Sequence, residues 1–316
     1  MQIRDVNVTA EQNSIRVGTR GSALALEQTR LFIAALTAAI PAIQVETVSM
    51  NTSGDVDKQT PLAILGGQGV FAKELEAALL TGSIDLAVHS AKDLPSVLPA
   101  GLMLGAILNR ADPRDVFLNI HGQRLDDLPS GARVGTSSRR RVMQLRQARP
   151  DLQAVELRGN VDTRLRKLAA GEVDAAIIAS AGLLRMGWEE RITQYLPVDT
   201  FVPSPGQGAL GIECRVDDDV TRALLVRVSD RLVTIEVEAE RSFLRAVGGG
   251  CQSPIGAHAT IEGKTLTMHA MLADEALTVA CFQTVSGGIN EADSLAPHLA
   301  ETLQNELALS LGRLAS

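Results

Sequence analysis

The chain has 316 residues, 45% of them hydrophobic and 21% charged, with a formal net charge of -7. That length exceeds one comfortable hydrophobic core and predicts two or three domains. The acidic balance argues against nucleic acid as the main partner. Three cysteines with no Cys-x-x-Cys pair, and five scattered histidines, offer neither a disulfide framework nor a metal site.

The first fourteen residues are polar and lack the apolar core of a signal peptide. The longest apolar stretch, Leu31 to Ile43, is interrupted by Thr37 and Pro41 and is too short to span a bilayer. The expected location is a reducing cytoplasm, with no membrane association.

In chain order, Ile15-Arg16-Val17-Gly18-Thr19-Arg20-Gly21-Ser22 predicts a short apolar strand and a Gly-Thr turn. A helical pattern follows, carried by Leu24, Leu26, Leu31 and Ile33. Asn51 to Gly69 is a glycine-rich excursion whose length suits a lid or functional loop. Gly82 to Val88 is an apolar run bounded by glycine, as expected of a buried parallel strand. It leads into His89-Ser90-Ala91-Lys92-Asp93-Leu94.

The pattern then recurs. Ala132 to Ser138 repeats the strand and Gly-Thr turn before a helix from about Arg139 to Arg149, and Gly171 to Ile177 repeats the second strand. Where the first copy has Lys92 and Asp93, the second has only Ser180-Ala181-Gly182-Leu183. Two α/β domains of related architecture follow, with right-handed strand-helix-strand units. Both helix N-termini are expected to face a common cleft.

Pro203-Ser204-Pro205-Gly206 breaks the chain before an apolar strand, Ala209 to Cys214, that is expected to return to the first domain. Asp217-Asp218-Asp219 opens a last segment: a helix through Arg231 to Val247, the loop Gly248 to Gly256, strands near Thr265 to Met268 and Leu277 to Val279, and a closing amphipathic helix from Glu291 to Arg313. The expected fold class is α/β, with two hinged periplasmic-binding-protein-like α/β domains plus a small α+β C-terminal domain. The boundaries are residues 1–108 with 209–226, residues 109–208, and residues 227–316.

Cys251 sits in Gly248-Gly249-Gly250-Cys251-Gln252-Ser253-Pro254, where the backbone is least hindered, and an accessible thiol is a reactive one. Cys214 and Cys281 lie in apolar runs and read as structural. Arginines number 25 against five lysines. Composition alone fits a GC-rich genome, but the placement is more telling. Arg139, Arg140 and Arg141 open a helix after Ser137 and Ser138, Arg158 lies where another helix begins, and Arg164 is one turn further on. Cations there oppose the helix dipole, so the cluster suits a polyanion site, the alternative being a solvated basic face.

Gly206-Gln207-Gly208-Ala209-Leu210-Gly211 matches a dinucleotide fingerprint. The prolines before it and the strand after it are the wrong context, so Gln207 reads as a hinge residue that touches ligand. Asp93 and Lys92 fall at a strand's C-terminal end, where open α/β sheets bind ligands, the alternative being a surface ion pair. A charged aspartate there suits stabilising a developing cation or exchanging a proton with nitrogen.

Together these motifs resemble the porphobilinogen deaminase (hydroxymethylbilane synthase) family. The resemblance is carried by Val17-Gly18-Thr19-Arg20, Gly66 to Glu76, Ala87 to Pro95, Asp112-Pro113-Arg114-Asp115, Val134 to Ser138, Leu157 to Val161, Gly206 to Ala209 and the Cys251 loop. It implies a dipyrromethane cofactor in thioether linkage to Cys251. Four porphobilinogens are then added, each losing ammonia, and hydrolysis releases hydroxymethylbilane. By the same resemblance Asp93 is the catalytic carboxylate. Ser90, Lys92, Thr136, Ser137, Ser138, Arg140, Arg141 and Arg164 would hold the cofactor, and Arg20, Ser22, Arg158, Arg185 and Gln207 the substrate.

Residue chemistry agrees, since each pyrrole carries two carboxylates and loss of ammonia leaves a cation. The third domain would then swing the growing chain. Ile64 and Gln68 stand where family members often carry lysine, which implies a weaker loop clamp, and Arg139 is given no ligand. The expected protein is a monomer acting on porphobilinogen, without nucleic acid or membrane partners. The competing class is a non-catalytic solute-binding or sensor protein, which needs neither Asp93 nor an accessible Cys251.

Overall fold

The computed structural model describes residues 14–50, 72–250 and 253–314, and forms two compact units. Cys251 and the glycine-rich excursion with Ile64 and Gln68 lie outside the described residues. The first unit joins the chain up to Asn109 to Leu210–Thr234, and the second joins Arg110–Ala209 to Ile235–Ser316.

In the first unit, β1 (Ser14–Arg20), α1 (Ala23–Ala39), β2 (Gln44–Met50), α2 (Lys73–Leu80), β3 (Leu86–Ser90) and β4 (Leu102–Ile107) are joined by β10 (Leu210–Arg215). The sheet order is β2-β1-β3-β10-β4. The first three strands are parallel, and β10 runs antiparallel to both its neighbours. Val17, Leu86, Val88 and Ile212 pack under Phe32 and Leu36 of α1, while Ala87 and Ile84 meet Leu75 and Leu79 of α2. Both sheet faces are thus covered, which is why these strands read as continuous apolar runs. The acidic run after β10 has a local use: Asp218 caps the next helix, α6 (Asp219–Val226), by accepting from the Thr221 amide at 3.0 Å.

The second unit repeats the plan with β5 (Asp115–Leu118), β6 (Arg133–Gly135), α3 (Arg139–Ala148), β7 (Gln153–Val155), α4 (Val161–Ala169), β8 (Ala175–Ala179), α5 (Ser180–Arg185) and β9 (Gln194–Tyr195). Its order, β7-β6-β8-β5-β9, places antiparallel β5 where β10 sits in the first sheet. The internal repeat is physical as well as textual. The Arg16 amide and guanidinium grip the two oxygens of Asp85 at 2.9 and 2.8 Å. Arg133 does the same to Asp174 at 2.7 and 2.9 Å.

The two Gly-Thr steps are not turns. Gly18 and Thr19 lie inside β1, and Gly135 is the last residue of β6. Glycine is needed because a Cβ at Gly18 would fall 2.3 Å from Ile84 Cδ1, and one at Gly135 would fall 2.8 Å from Leu157 Cδ2. A side chain crossing the strand, rather than backbone turning, selects the residue.

Also in the second unit, β11 (Ile255–Glu262), β12 (Thr265–Ala273) and β13 (Ala280–Gly288) form an antiparallel sheet in that order. Between this sheet and the helices α7 (Arg231–Val247) and α8 (Ala292–Leu314), Phe243, Leu244, Leu266, Met268, Leu299 and Leu303 make a core. The stretch Leu277 to Val279, expected as strand, is part of the turn between β12 and β13. Asp274 Oδ1 accepts from the amides of Thr278 and Val279 at 2.7 Å each, supplying the partners a strand ladder would otherwise give. Leu277 takes the left-handed conformation there, at φ 57°. This sheet is packed on the arginine-bearing half of its own unit. Met271 and Ala273 meet Met143 and Val202, and the Ala257 amide donates to Pro203 O at 2.9 Å.

Candidate active site

β3 ends at Ser90 and the chain tightens into a single 3-10 turn, Ala91–Asp93, that sets Lys92 and Asp93 at the carboxyl edge of the first sheet. β1 runs parallel beside β3 and ends at Arg20. Arg20, Gln28, Ser90 and Asp93 therefore line one cleft. Gln28 Nε2 donates to Ser90 Oγ at 2.8 Å, fixing that hydroxyl. Ser22, expected to meet substrate, caps α1 by accepting from the Ala25 amide at 3.3 Å. An accepting cap leaves its O–H to donate elsewhere.

In the second unit, three hydroxyl residues follow β6. Thr136 is buried and accepts from the Ser138 amide, Ser137 Oγ donates to Leu157 O at 2.7 Å, and Ser138 caps α3. Arg140 and Arg141, expected on ligand carboxylates, are buried against a carboxylate of the chain itself. Arg140 Nη1 reaches Asp115 Oδ2 at 2.8 Å, and Arg141 Nη2 reaches Asp115 Oδ1 at 2.7 Å. Gln207 Nε2 donates to the same Asp115 Oδ1 at 2.7 Å and to Pro113 O at 2.7 Å, and the residue is fully buried. Desolvation would raise the Asp115 carboxyl, but the two guanidiniums hold it well below the ordinary range. Arg140, Arg141 and Gln207 thus converge on one internal acid, 25 residues before Arg140, and form a brace.

Arg185 is different. Burial pushes its guanidinium down to about 10, and its hydrogen bond runs from Nη2 to the carbonyl of Gly208 at 2.6 Å. A desolvated cation held on a carbonyl dipole is a fitting seat for an anionic ligand. Arg158 Nε lies 2.6 Å from Glu156 Oε1, and Arg164 Nε donates to Gly159 O at 2.8 Å, fastening the approach to α4.

Sequence reasoning missed two buried acids that hold arginines. In the sequence Asp115 is no more than the last residue of Asp112-Pro113-Arg114-Asp115. Glu240 on α7 accepts from Arg110 at 2.7 and 3.0 Å, and from the amides of Gly206 and Ala259 at 2.6 and 2.7 Å. Its carboxyl is held low by Arg110 against the upward pull of burial. No sequence signal separates it from Glu236, one turn earlier on the same helix face.

A family model described as "Porphobilinogen deaminase, dipyromethane cofactor binding domain" matches residues 15–223, and "Porphobilinogen deaminase, C-terminal domain" matches residues 234–305. The chain belongs to the porphobilinogen deaminase family. Relatives named porphobilinogen deaminase agree. One from Syntrophus aciditrophicus is 47% identical over 92% of this chain and 94% of its own. One from Syntrophobacter fumaroxidans is 53% identical over 82% of this chain and 84% of its own. Among solved structures, the methionine-binding protein MetQ is similar to 71% of this chain and 93% of its own, with TM-score 0.45 and 15% identity.

The cofactor-binding domain of the porphobilinogen deaminase family thus spans both α/β sheets. The group its name specifies is a dipyrromethane, and the residues present fit it: Arg185 is a desolvated cation on a carbonyl, and Arg20 lines the Asp93 cleft. Of the three cysteines, Cys214 and Cys281 are buried, and burial pushes the Cys214 thiol up to about 11. Neither suits an anchor. No described helix is long and apolar enough to cross a membrane.

Proposed function

We propose that the chain joins porphobilinogen units head to tail with loss of ammonia, and releases hydroxymethylbilane by hydrolysis. The observation that carries this reading is the cleft lined by both Arg20 and Asp93 at the carboxyl edge of the first sheet. Arg20 would hold a substrate carboxylate through paired hydrogen bonds. Asp93 would face the pyrrole nitrogen and stabilise the positive charge that appears as ammonia departs. Ser90, fixed by Gln28, and Lys92 on the same turn would orient the pyrrole.

When bound, the dipyrromethane supplies the pyrrole carbon onto which the first unit is added. Cys251 is assigned its thioether, since the other two thiols are buried. Arg185, Arg158 and Arg164 would hold carboxylates, with Ser22, Thr136, Ser137 and Ser138 as hydroxyl donors. Arg140, Arg141 and Gln207 would act through the Asp115 brace by holding the start of α3 in place. The protein would work as a cytoplasmic monomer without nucleic acid.

The test is porphobilinogen consumption by the holoenzyme. Asp93→Asn should lose roughly 100-fold or more in kcat, the scale of removing a group that stabilises transition-state charge. Arg20→Leu should act mainly on KM. Unchanged kcat in Asp93→Asn would overturn the assignment.

A further inference from the structure

The face of the first sheet that α2 covers carries three ionisable side chains without a part in the reaction above. β3 and β10 alternate, so Val88 and Ile212 face α1 while His89 and Glu213 face α2. Glu76 on α2 lies over them. Glu213 is fully buried, and His89 and Glu76 are 6% and 7% exposed. His89 Nε2 is 3.2 Å from Glu213 Oε2, yet among the described residues neither atom has an aligned hydrogen bond. The other Glu213 oxygen and Glu76 Oε1 are likewise buried without a partner among the described residues.

Such a set is costly as structure alone, because unsatisfied buried charge is less stable than apolar packing of the same volume. Two carboxylates in one dry site lower that cost by sharing a proton. Burial pushes the Glu76 carboxyl up to about 7, and the Glu213 charge adds to the rise. His89 and Lys73 pull the other way, and Glu74 raises it slightly. Among the described residues, these are the groups that face Glu76: Glu213 from β10, His89 from β3, and Lys73 and Glu74 from its own helix. His89 also lines the Asp93 cleft, so a change of charge in the set is felt where substrate carboxylates bind.

We propose that Glu76, packed over His89 and Glu213, holds one exchangeable proton behind the Asp93 cleft, and that losing it weakens the binding of the anionic substrate. Below neutral pH, Glu76 is protonated and the set carries one negative charge fewer. As pH rises through neutrality the added charge repels a dicarboxylate, so KM rises while kcat is little affected. Glu76 and Glu213 are positioning residues, acting through His89 and the field in the cleft.

The inference rests on the porphobilinogen reading, and the experiment separates the two. KM for porphobilinogen is measured at pH 6 and pH 8 for the wild-type holoenzyme and for Glu76→Gln. The wild-type value should rise about three-fold or more, the effect of one nearby charge in a partly screened site. The variant should change less than half as much. An equal rise in both proteins would overturn the proposal. Infrared spectra of the wild-type holoenzyme give a readout independent of activity: a protonated carboxyl band at pH 6 should fade by pH 8. Its absence at pH 6 would overturn the proposal even if Glu76→Gln does not fold. Absent turnover with a titrating band would instead sink the porphobilinogen reading and leave the Glu76 proton standing.

Discussion

Asp115 holds two guanidiniums and an amide where water does not reach, so its removal is not a surface event. Asp115→Asn would leave Arg140 and Arg141 buried without a countercharge and should cost about 3–5 kcal/mol in denaturant unfolding. A loss under about 1 kcal/mol, the worth of an exposed pair, would contradict the brace. The acid response has a fixed sign. The folded carboxyl lies below its unfolded value, so its contribution is complete above about pH 4 and falls away as pH drops toward the folded value. Arg140 and Arg141 were legible as a cluster, because three arginines opening a helix are unusual. Their partner was not, since no sequence spacing reports a contact from α3 to β5. Asp93 was legible for the opposite reason: its position depends only on the end of its own strand.

The two α/β sheets were readable from the repeat, because a buried parallel strand bounded by glycine carries its own signature and both copies kept it. The antiparallel placement of β5 and β10 was less open to reading, as direction within a sheet is set by partners far along the chain. The glycines teach the same lesson. Gly18 and Gly135 read as turns, yet they sit where another side chain crosses the strand. Gly18→Ala and Gly135→Ala should each destabilise by about 1–3 kcal/mol through overpacking, seen as a lower Tm. A turn glycine with open space around it, such as Gly82, differs in kind: its requirement is the positive φ of 69°. Thermal melts in which Gly18→Ala matches wild type would return that residue to the turn reading.

At the scale of the molecule, the three-stranded sheet is joined to the arginine-bearing half of its unit by an apolar contact and by Glu240. Met143, Val202 and Met271 are buried together, and Glu240 ties Arg110 and the Gly206 amide to β11. A freely swinging third domain, as pictured from sequence, would have to break these contacts. Glu240→Ala should strand Arg110 and two amides and lower stability by about 3–5 kcal/mol. An unchanged unfolding midpoint would show that the sheet is loosely held. The sequence could not show this attachment, since Glu240 looks like any glutamate until its four donors are seen around it.

The central claim, a chain that grows on a covalent primer, is tested most directly by the intact mass of the protein purified from cells that make porphobilinogen. The account predicts a chain heavier than its sequence by two linked pyrroles, retained in Asp93→Asn and lost in Cys251→Ser. A wild-type chain of bare sequence mass from such cells would contradict it.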